Sequence, residues 1–339
     1  MNLKKELLRI ASVFLEDTTD YLKLSAAIKE YKNMLLQSIE SDMEQEDCKS
    51  HIYFENGVAI GTKWAMLCID DMLRTKKFIR GIDMAIKDQM HQKDTLRILY
   101  AGTGPFATLL LPLMVKYAEY NIHYDLLEIN PLSFKSLKEI IKKLNIETCN
   151  ITFINDDATK YAIPTNACPD IIVSETMQLA LDKEQQVSIF YNLTKQAHPN
   201  TVFIPEKIDL FIGTRIKGID ELDTQQKRYQ KHHKVFEVSK QAMKSNDWII
   251  DKTSGKLDFA QRHTVLTDKE LSTASEIVVM TEITIYKDIQ LTLNESGLTI
   301  PKYIKDVSEN KDKTMTIESQ YIIGSEPKLS LKTSSNQLT

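Results

Sequence analysis

A glycine turn and two carboxylates stand at the ends of three successive strand-like runs, where a ribose-bearing ligand would need them. LYAGTGPFA (99–107) follows an apolar run, opens a helical one and matches G-x-G-x-x-A. Gly102 and Gly104 leave room for a ligand against bare backbone, and a helix N-terminus offers unpaired N–H groups to an anion. Ala101 immediately precedes the turn, and Glu128 lies 24 residues beyond Gly104 (128 − 104), closing the next strand. A carboxylate there can accept hydrogen bonds from both ribose hydroxyls. Asp157 with Ala158 ends the third strand in INDDATKYAIP, with Asp156 an equally acidic neighbour. The turn and Glu128 serve dinucleotides and S-adenosylmethionine equally well. The carboxylate at the third strand end tips the choice toward S-adenosylmethionine.

A second constellation follows in PDIIVSETMQLALDKEQQ (169–186), where Glu175 and Glu184 are nine positions apart. Glu184 taken alone is an ordinary acidic residue in a first helical turn, favoured by the macrodipole. Glu175 sits at the carboxyl end of a parallel strand, beside the expected ligand. At this loop the chain resembles the protein arginine methyltransferase family, whose fourth strand ends in Ser-Glu-x-Met with a second Glu nine residues on. Ser174, Glu175, Met177 and Glu184 match. Upstream, YFENGVAIGTKWAML (53–67) is similar to that family's Tyr-Phe helix and Met-Leu segment at Tyr53, Phe54, Gly61, Met66 and Leu67. Asp71 with Arg74-Thr75 resembles its Asp-x-x-Arg-Thr element. The resemblance covers roughly 53–205.

The resemblance implies a cofactor site of Met66, Arg74, Ala101, Gly102, Gly104, Glu128, Asp157 and Ala158, with Arg74 on the cofactor's carboxylate. It implies Glu175 and Glu184 holding a guanidinium by paired charge-assisted hydrogen bonds, with Tyr53 orienting one of them. The acceptor is then an arginine in a peptide or protein, or a small guanidino compound. Another nitrogen or oxygen nucleophile of a biosynthetic metabolite is the alternative, and a catalytically inactive interaction module is the rival of another class. The sequence departs from the family at Gly57, where a second tyrosine is usual, at Lys63, where a histidine is usual, and at Tyr100-Ala101. No Thr-His-Trp loop follows, and His263-Thr264 has no tryptophan after it.

These residues need a scaffold that brings strand ends together. LRILYA, HYDLLEI, NITFIN, DIIVS and TVFIP alternate with helical patterns at 106–119, 132–145 and 184–196, with Pro105 and Pro131 in first turns. Strands alternating with helices predict a doubly wound, parallel, Rossmann-like α/β sheet whose ligands sit at the strands' carboxyl ends. Residues 1–50 read as a helical prefix packed on the main body or a partner, with apolar positions at Leu7, Ile10, Phe14, Ile28 and Tyr31. The cofactor domain is expected over 51–205 and a β-rich substrate or dimerisation domain over 206–330. Within the latter, the charged stretch 214–260 reads as helix and loop, with His232-His233 on a solvated face. It occupies the place of the arm through which the resembled family forms homodimers. The polar end KTSSNQLT is expected to be disordered.

Composition bounds the rest. The 339 residues suggest about two domains, and 43 Lys+Arg against 47 Asp+Glu give a net charge of −4, which argues against nucleic acid as a partner. Cys48, Cys68, Cys149 and Cys168 form no CxxC pair, so neither a disulfide framework nor a metal site is expected. No run of 18 apolar residues predicts a membrane span, and the N-terminus is a poor signal peptide. A cytoplasmic location is the expectation.

Overall fold

Helical periodicity in the prefix becomes two helices, α1 (Leu3–Phe14) and α2 (Tyr21–Leu36), with Leu7, Ile10, Phe14, Ile28 and Tyr31 buried. The Asp20 carboxylate caps α2 by accepting from the Leu22 and Lys23 amides at 3.0 and 3.1 Å. The pair packs onto the main body, where Tyr31 Oη donates to the Thr108 carbonyl at 2.9 Å. The computed structural model describes residues 3–146, 150–218, 228–245, 257–309 and 314–335. Cys149 falls outside these residues, as does much of 214–260.

A short helix, α3 (Glu46–Lys49), leads into a hairpin of β1 (Ile52–Phe54) and β2 (Gly57–Ala59), then α4 (Thr62–Leu67) and the long α5 (Met72–Met90). Tyr53 and Phe54 are therefore on a strand and not on the helix that the resemblance implied. The chain reverses immediately after them, with Gly57 at φ +135°, a conformation that L side chains rarely adopt.

The parallel sheet is built from β3 (Leu96–Ala101), β4 (Ile122–Leu127), β5 (Asn150–Ile154), β6 (Ile171–Ser174) and β7 (Val202–Ile204), in the order β5-β4-β3-β6-β7. Between them run α6 (Leu111–Lys116), α7 (Pro131–Lys143) and α8 (Gln186–Gln196). Ala101 pairs with both Leu127 and Ser174, and Leu127 pairs with Ile154, so four carboxyl ends finish level around β3, where the strand order reverses. The helix expected from 106 starts later. Ala107 takes a left-handed φ of 46°, the chain turns to 110, and Pro112 rather than Pro105 occupies the first helical turn.

After β7 the chain enters antiparallel structure: β8 (Lys207–Ile216), β9 (Tyr229–Ser239), β10 (Arg262–Leu266), a short α9 (Asp268–Ser272), β11 (Ala274–Tyr286), β12 (Ile289–Leu291), β13 (Lys302–Asp306), β14 (Met315–Ile322) and β15 (Lys328–Ser335). One sheet runs β12-β11-β8-β9 with β13 on β11, and a second runs β10-β14-β15. Two expectations fail here. YQKHHKVFEVS is strand β9, paired with β8 along its length and burying Val235, Phe236 and Val238. Its lysines are satisfied laterally, by Glu282 for Lys231 and by Asp209 and Glu237 for Lys234, which lets a charged segment join a sheet. Part of the polar end is ordered as well, because β15 runs to Ser335 in register with Met315. The architecture is a doubly wound parallel sheet with a helical prefix and a β-rich C-terminal part, as the pattern of the sequence predicts.

Candidate active site

The carboxyl ends of β3, β4 and β6 open onto a cleft of about 960 Å³, measured to its open mouth. Its floor is the glycine turn. Gly102 (φ +77°) and Gly104 (φ +62°) are both left-handed, and a Cβ on Gly102 would lie 2.2 Å from Thr176 Cγ2. The turn is thus wedged against the loop that carries Glu175. Glu128 leaves β4 and folds back over it: one carboxylate oxygen accepts from the Gly104 amide at 2.7 Å, the other from the Asn130 amide at 2.8 Å. Burial pushes this carboxyl up despite those two donors.

Arg74 lies in the first turn of α5, where the Asp71 side chain caps its amide at 3.3 Å. Its guanidinium forms an ion pair with Glu175, whose side chain is 5% exposed. Glu175 Oε1 is buried and has no hydrogen-bond partner among the described residues. Burial works against the Arg74 charge, but the carboxylate of Glu175 beside it holds the guanidinium protonated above its ordinary range. Glu184 is 7% exposed. Burial first and then the charge of Glu175 push its carboxyl up to about 7, against Arg74 and a hydrogen bond from Gln178. Cys68 completes this wall, its thiol pushed up to about 11 by burial.

Of the residues singled out from sequence, Arg74, Gly102, Gly104, Glu128, Ala158, Glu175 and Glu184 line the one cleft. Ala101 and Met66 are buried behind it and support it from β3 and α4. The acidic wall residue at the end of β5 is Asp156, not Asp157. Asp157 turns away and caps its own loop, accepting from the Thr159 amide at 2.9 Å and hydroxyl at 2.7 Å. Tyr53 is 67% exposed on the hairpin, with its ring edge against His51, and does not line the cleft.

The sequence reading missed the polar residues that tie the cleft together. Gln186 accepts from the Thr176 amide and hydroxyl, both at 2.9 Å, and donates to the Ser174 carbonyl, fixing the Glu175 loop to α8. Asn56 bridges the hairpin to both sides, accepting from Gln185 at 2.6 Å and donating to Thr159 at 2.8 Å. Single amides and hydroxyls at loop positions carry no periodic signal. The glycine between Asn56 and Val58 marks only the turn itself. His263-Thr264 lies on β10, and His263 faces Glu318 at 3.8 Å on an exposed face. The other histidine expectation also changes: the His232 side chain is 3% exposed, held between Glu270 at 3.1 Å and Thr214 Oγ1 at 2.8 Å.

No family model matches the sequence, and no curated protein does. Solved structures do. One is the Trypanosoma brucei PRMT1 enzyme–prozyme heterotetrameric complex with AdoHcy, at TM-score 0.52 and 13% identity, covering 80% of this chain and 93% of that one. Another is PRMT6 with SAH, at TM-score 0.52 and 10% identity, covering 79% of this chain and 98% of that one. The chain therefore shares the fold of these structures, a doubly wound parallel sheet continued into an antiparallel β-rich part.

Proposed function

We propose that the protein is an S-adenosylmethionine-dependent methyltransferase that methylates a guanidino nitrogen. The observation that carries this reading is the buried, unpartnered Oε1 of Glu175 facing a cleft in which a second buried glutamate, Glu184, stands beside it. A buried acceptor without a donor costs free energy unless a ligand supplies the donor, and a guanidinium supplies several in one plane. The neighbouring residues fit the cofactor. The left-handed turn at Gly102 and Gly104 floors the cleft, Glu128 presents a buried carboxylate to a ribose, Asp156 and Ala158 also line the cleft, and Arg74 offers a guanidinium to a carboxylate.

When bound, S-adenosylmethionine supplies an electrophilic methyl on a sulfonium. Transfer to a nitrogen is an in-line displacement, so the protein's main task is aim. Glu175 and Glu184 hold the guanidino group by charge-assisted hydrogen bonds and draw its positive charge toward the nitrogens they touch. The third nitrogen is left richer in electrons. Glu184, raised to about 7, is poised to take the proton that the methylated nitrogen releases.

One observation favours a second acceptor class. Arg74 already neutralises Glu175, which suits a neutral nitrogen or oxygen nucleophile better than a cation. Calorimetry with S-adenosylhomocysteine and with NAD tests the cofactor, and tight binding of NAD alone would overturn it. Mass spectrometry with isotopically labelled cofactor then compares arginine peptides, free guanidines and neutral amines. Label on guanidino nitrogen is the expected result.

A further inference from the structure

Glu184 ends a segment in which three of four successive residues, 180–183, are left-handed. Ala180, Leu181 and Lys183 are all left-handed, at φ 55°, 59° and 64°, and none is glycine. Side chains with a Cβ resist that conformation, so such a run persists only where its surroundings over-determine it. The surroundings here come from the far end of the chain. Tyr321 of β14, 1% exposed, donates its hydroxyl to the Leu181 carbonyl at 2.6 Å. Its ring is stacked on Phe236 of β9, with centroids 4.5 Å apart and planes 8° from parallel, and Phe259 meets it edge-on. The tyrosine therefore has no freedom to move away. The Lys183 amide donates to the Pro327 carbonyl at 2.7 Å, and Lys302 of β13 pairs with Asp182. On the opposite side, the Val58 amide donates to the Lys183 carbonyl at 2.8 Å.

We propose that the β-rich part acts as a clamp on the glutamate loop, with Tyr321 as the positioning residue that keeps Glu184 buried beside Glu175. The inference deepens the proposed function and rests on it for the role of Glu184, although the clamp itself does not. Without the Tyr321 hydroxyl, the Leu181 carbonyl loses its donor inside the protein, and the left-handed run loses one of the contacts that hold it. The loop then relaxes toward ordinary backbone, and the Glu184 carboxyl moves away from Glu175 and toward water. The groups that face it in the clamped state are Glu175 from the end of β6, Arg74 from α5, Cys68 from the turn after α4, and Gln178 from its own loop.

Tyr321→Phe tests this while keeping the aromatic stack. Loss of one buried hydrogen bond should raise amide exchange across 178–185 about 10-fold, with α7 unchanged as an internal control. Infrared titration of Glu184, identified by subtraction of the Glu184→Gln protein, should move its midpoint down from about 7 toward the ordinary carboxylate range. Turnover at saturating cofactor should fall about 10²-fold, the scale of a misplacement near 1 Å, while S-adenosylhomocysteine affinity stays at its wild-type value. Lys302→Met, a milder release of the same loop, should shift the midpoint in the same direction by less. A merely structural tyrosine lowers the melting temperature and leaves the midpoint in place. That result, or faster exchange in α7 to the same degree as in the loop, overturns the clamp. If wild-type protein methylates no guanidine and Tyr321→Phe still shifts the midpoint and the loop exchange, the clamp stands and the proposed function falls.

Discussion

Arg74 and Glu175 illustrate why buried charges are informative only as pairs. Neither is at home at its depth alone, and removing one leaves the other uncompensated, at a cost of roughly 3–5 kcal/mol. Glu175→Gln should therefore act twice. Turnover should fall about 10²–10³-fold, the usual consequence of losing one preorganised electrostatic contact. The ligand-free protein should also melt earlier, and S-adenosylhomocysteine, whose carboxylate offers Arg74 a new partner, should raise the melting temperature by more than it does in wild type. Differential scanning fluorimetry with and without that ligand reads the second effect. An equal ligand-induced shift in both proteins would separate Arg74 from cofactor binding. Glu184 makes a prediction in pH. Its carboxyl is raised by burial to about 7, so the native protein holds a proton that the unfolded chain gives up near its ordinary value of 4.5. That contribution to stability is complete below the ordinary value and fades as pH rises through about 7, a change of about 3 kcal/mol over the window. Urea titrations from pH 4 to 8 should show wild type losing this amount relative to Glu184→Gln. Methyl transfer should show the opposite trend, with an acid limb centred near pH 7, because the base must first be ionised. The convergence of Glu128 and Glu175 was legible because strand ends in a parallel sheet meet by geometry, whereas Arg74 on α5 and Glu184 before α8 were legible only through the resemblance. Asp157 and Tyr53 were not, since whether a loop carboxylate or a hairpin ring turns inward depends on partners such as Thr159 and His51, which no spacing announces.

Elements position these residues through close approach, and the glycine turn after β3 is the tightest case. A methyl group added at Gly102 meets both an unfavourable left-handed backbone and Thr176 Cγ2 at 2.2 Å. Gly102→Ala should weaken S-adenosylhomocysteine binding and displace the Glu175 loop together. Thr176→Ser removes the offending Cγ2 while keeping the hydroxyl that bonds Gln186. The double variant should recover part of the loss, the part due to contact and not the part due to φ. A coupling energy above about 0.5 kcal/mol in that cycle, in the favourable direction, is the expected result, and strict additivity would show that the two loops do not press on one another. The same scale explains what the sequence conveyed and what it withheld. Strands β3, β4 and β6 are largely apolar because both sheet faces are covered, interrupted only by Arg97 on β3, by His123 and Asp125 on β4, and by Ser174 at the end of β6. β9 is not, since Lys231, His232, His233 and Lys234 mask its alternation until Val235. The start of α6 was misplaced because proline can open a helix at either Pro105 or Pro112, and the left-handed Ala107 between them settles the matter.

At the scale of the whole molecule, the cleft belongs to all three parts of the chain at once. The prefix holds one wall, because Tyr31 Oη donates to the carbonyl of Thr108, and Thr108 lines the cleft. The β-rich part holds another, through Tyr321 and Pro327 on the Glu184 loop, and Ser296 and the Gly297 amide both bond Asp71, the cap of the helix that carries Arg74. A ligand in the cleft therefore stabilises contacts that span prefix, parallel sheet and antiparallel part together. The expected thermal unfolding is a single transition. Binding to the native state alone contributes RT ln(1 + [L]/Kd), about 2.7 kcal/mol at a ligand concentration of roughly 100 Kd. With about 2.1 cal/mol/K of unfolding entropy per residue, a chain of 339 residues should gain roughly 4 °C under S-adenosylhomocysteine at that excess, in one step. Calorimetry decides the matter. Two resolved transitions, of which only one moves with ligand, would mean that the β-rich part unfolds without regard to the cleft and that its contacts with the Glu184 loop contribute nothing to holding the site together.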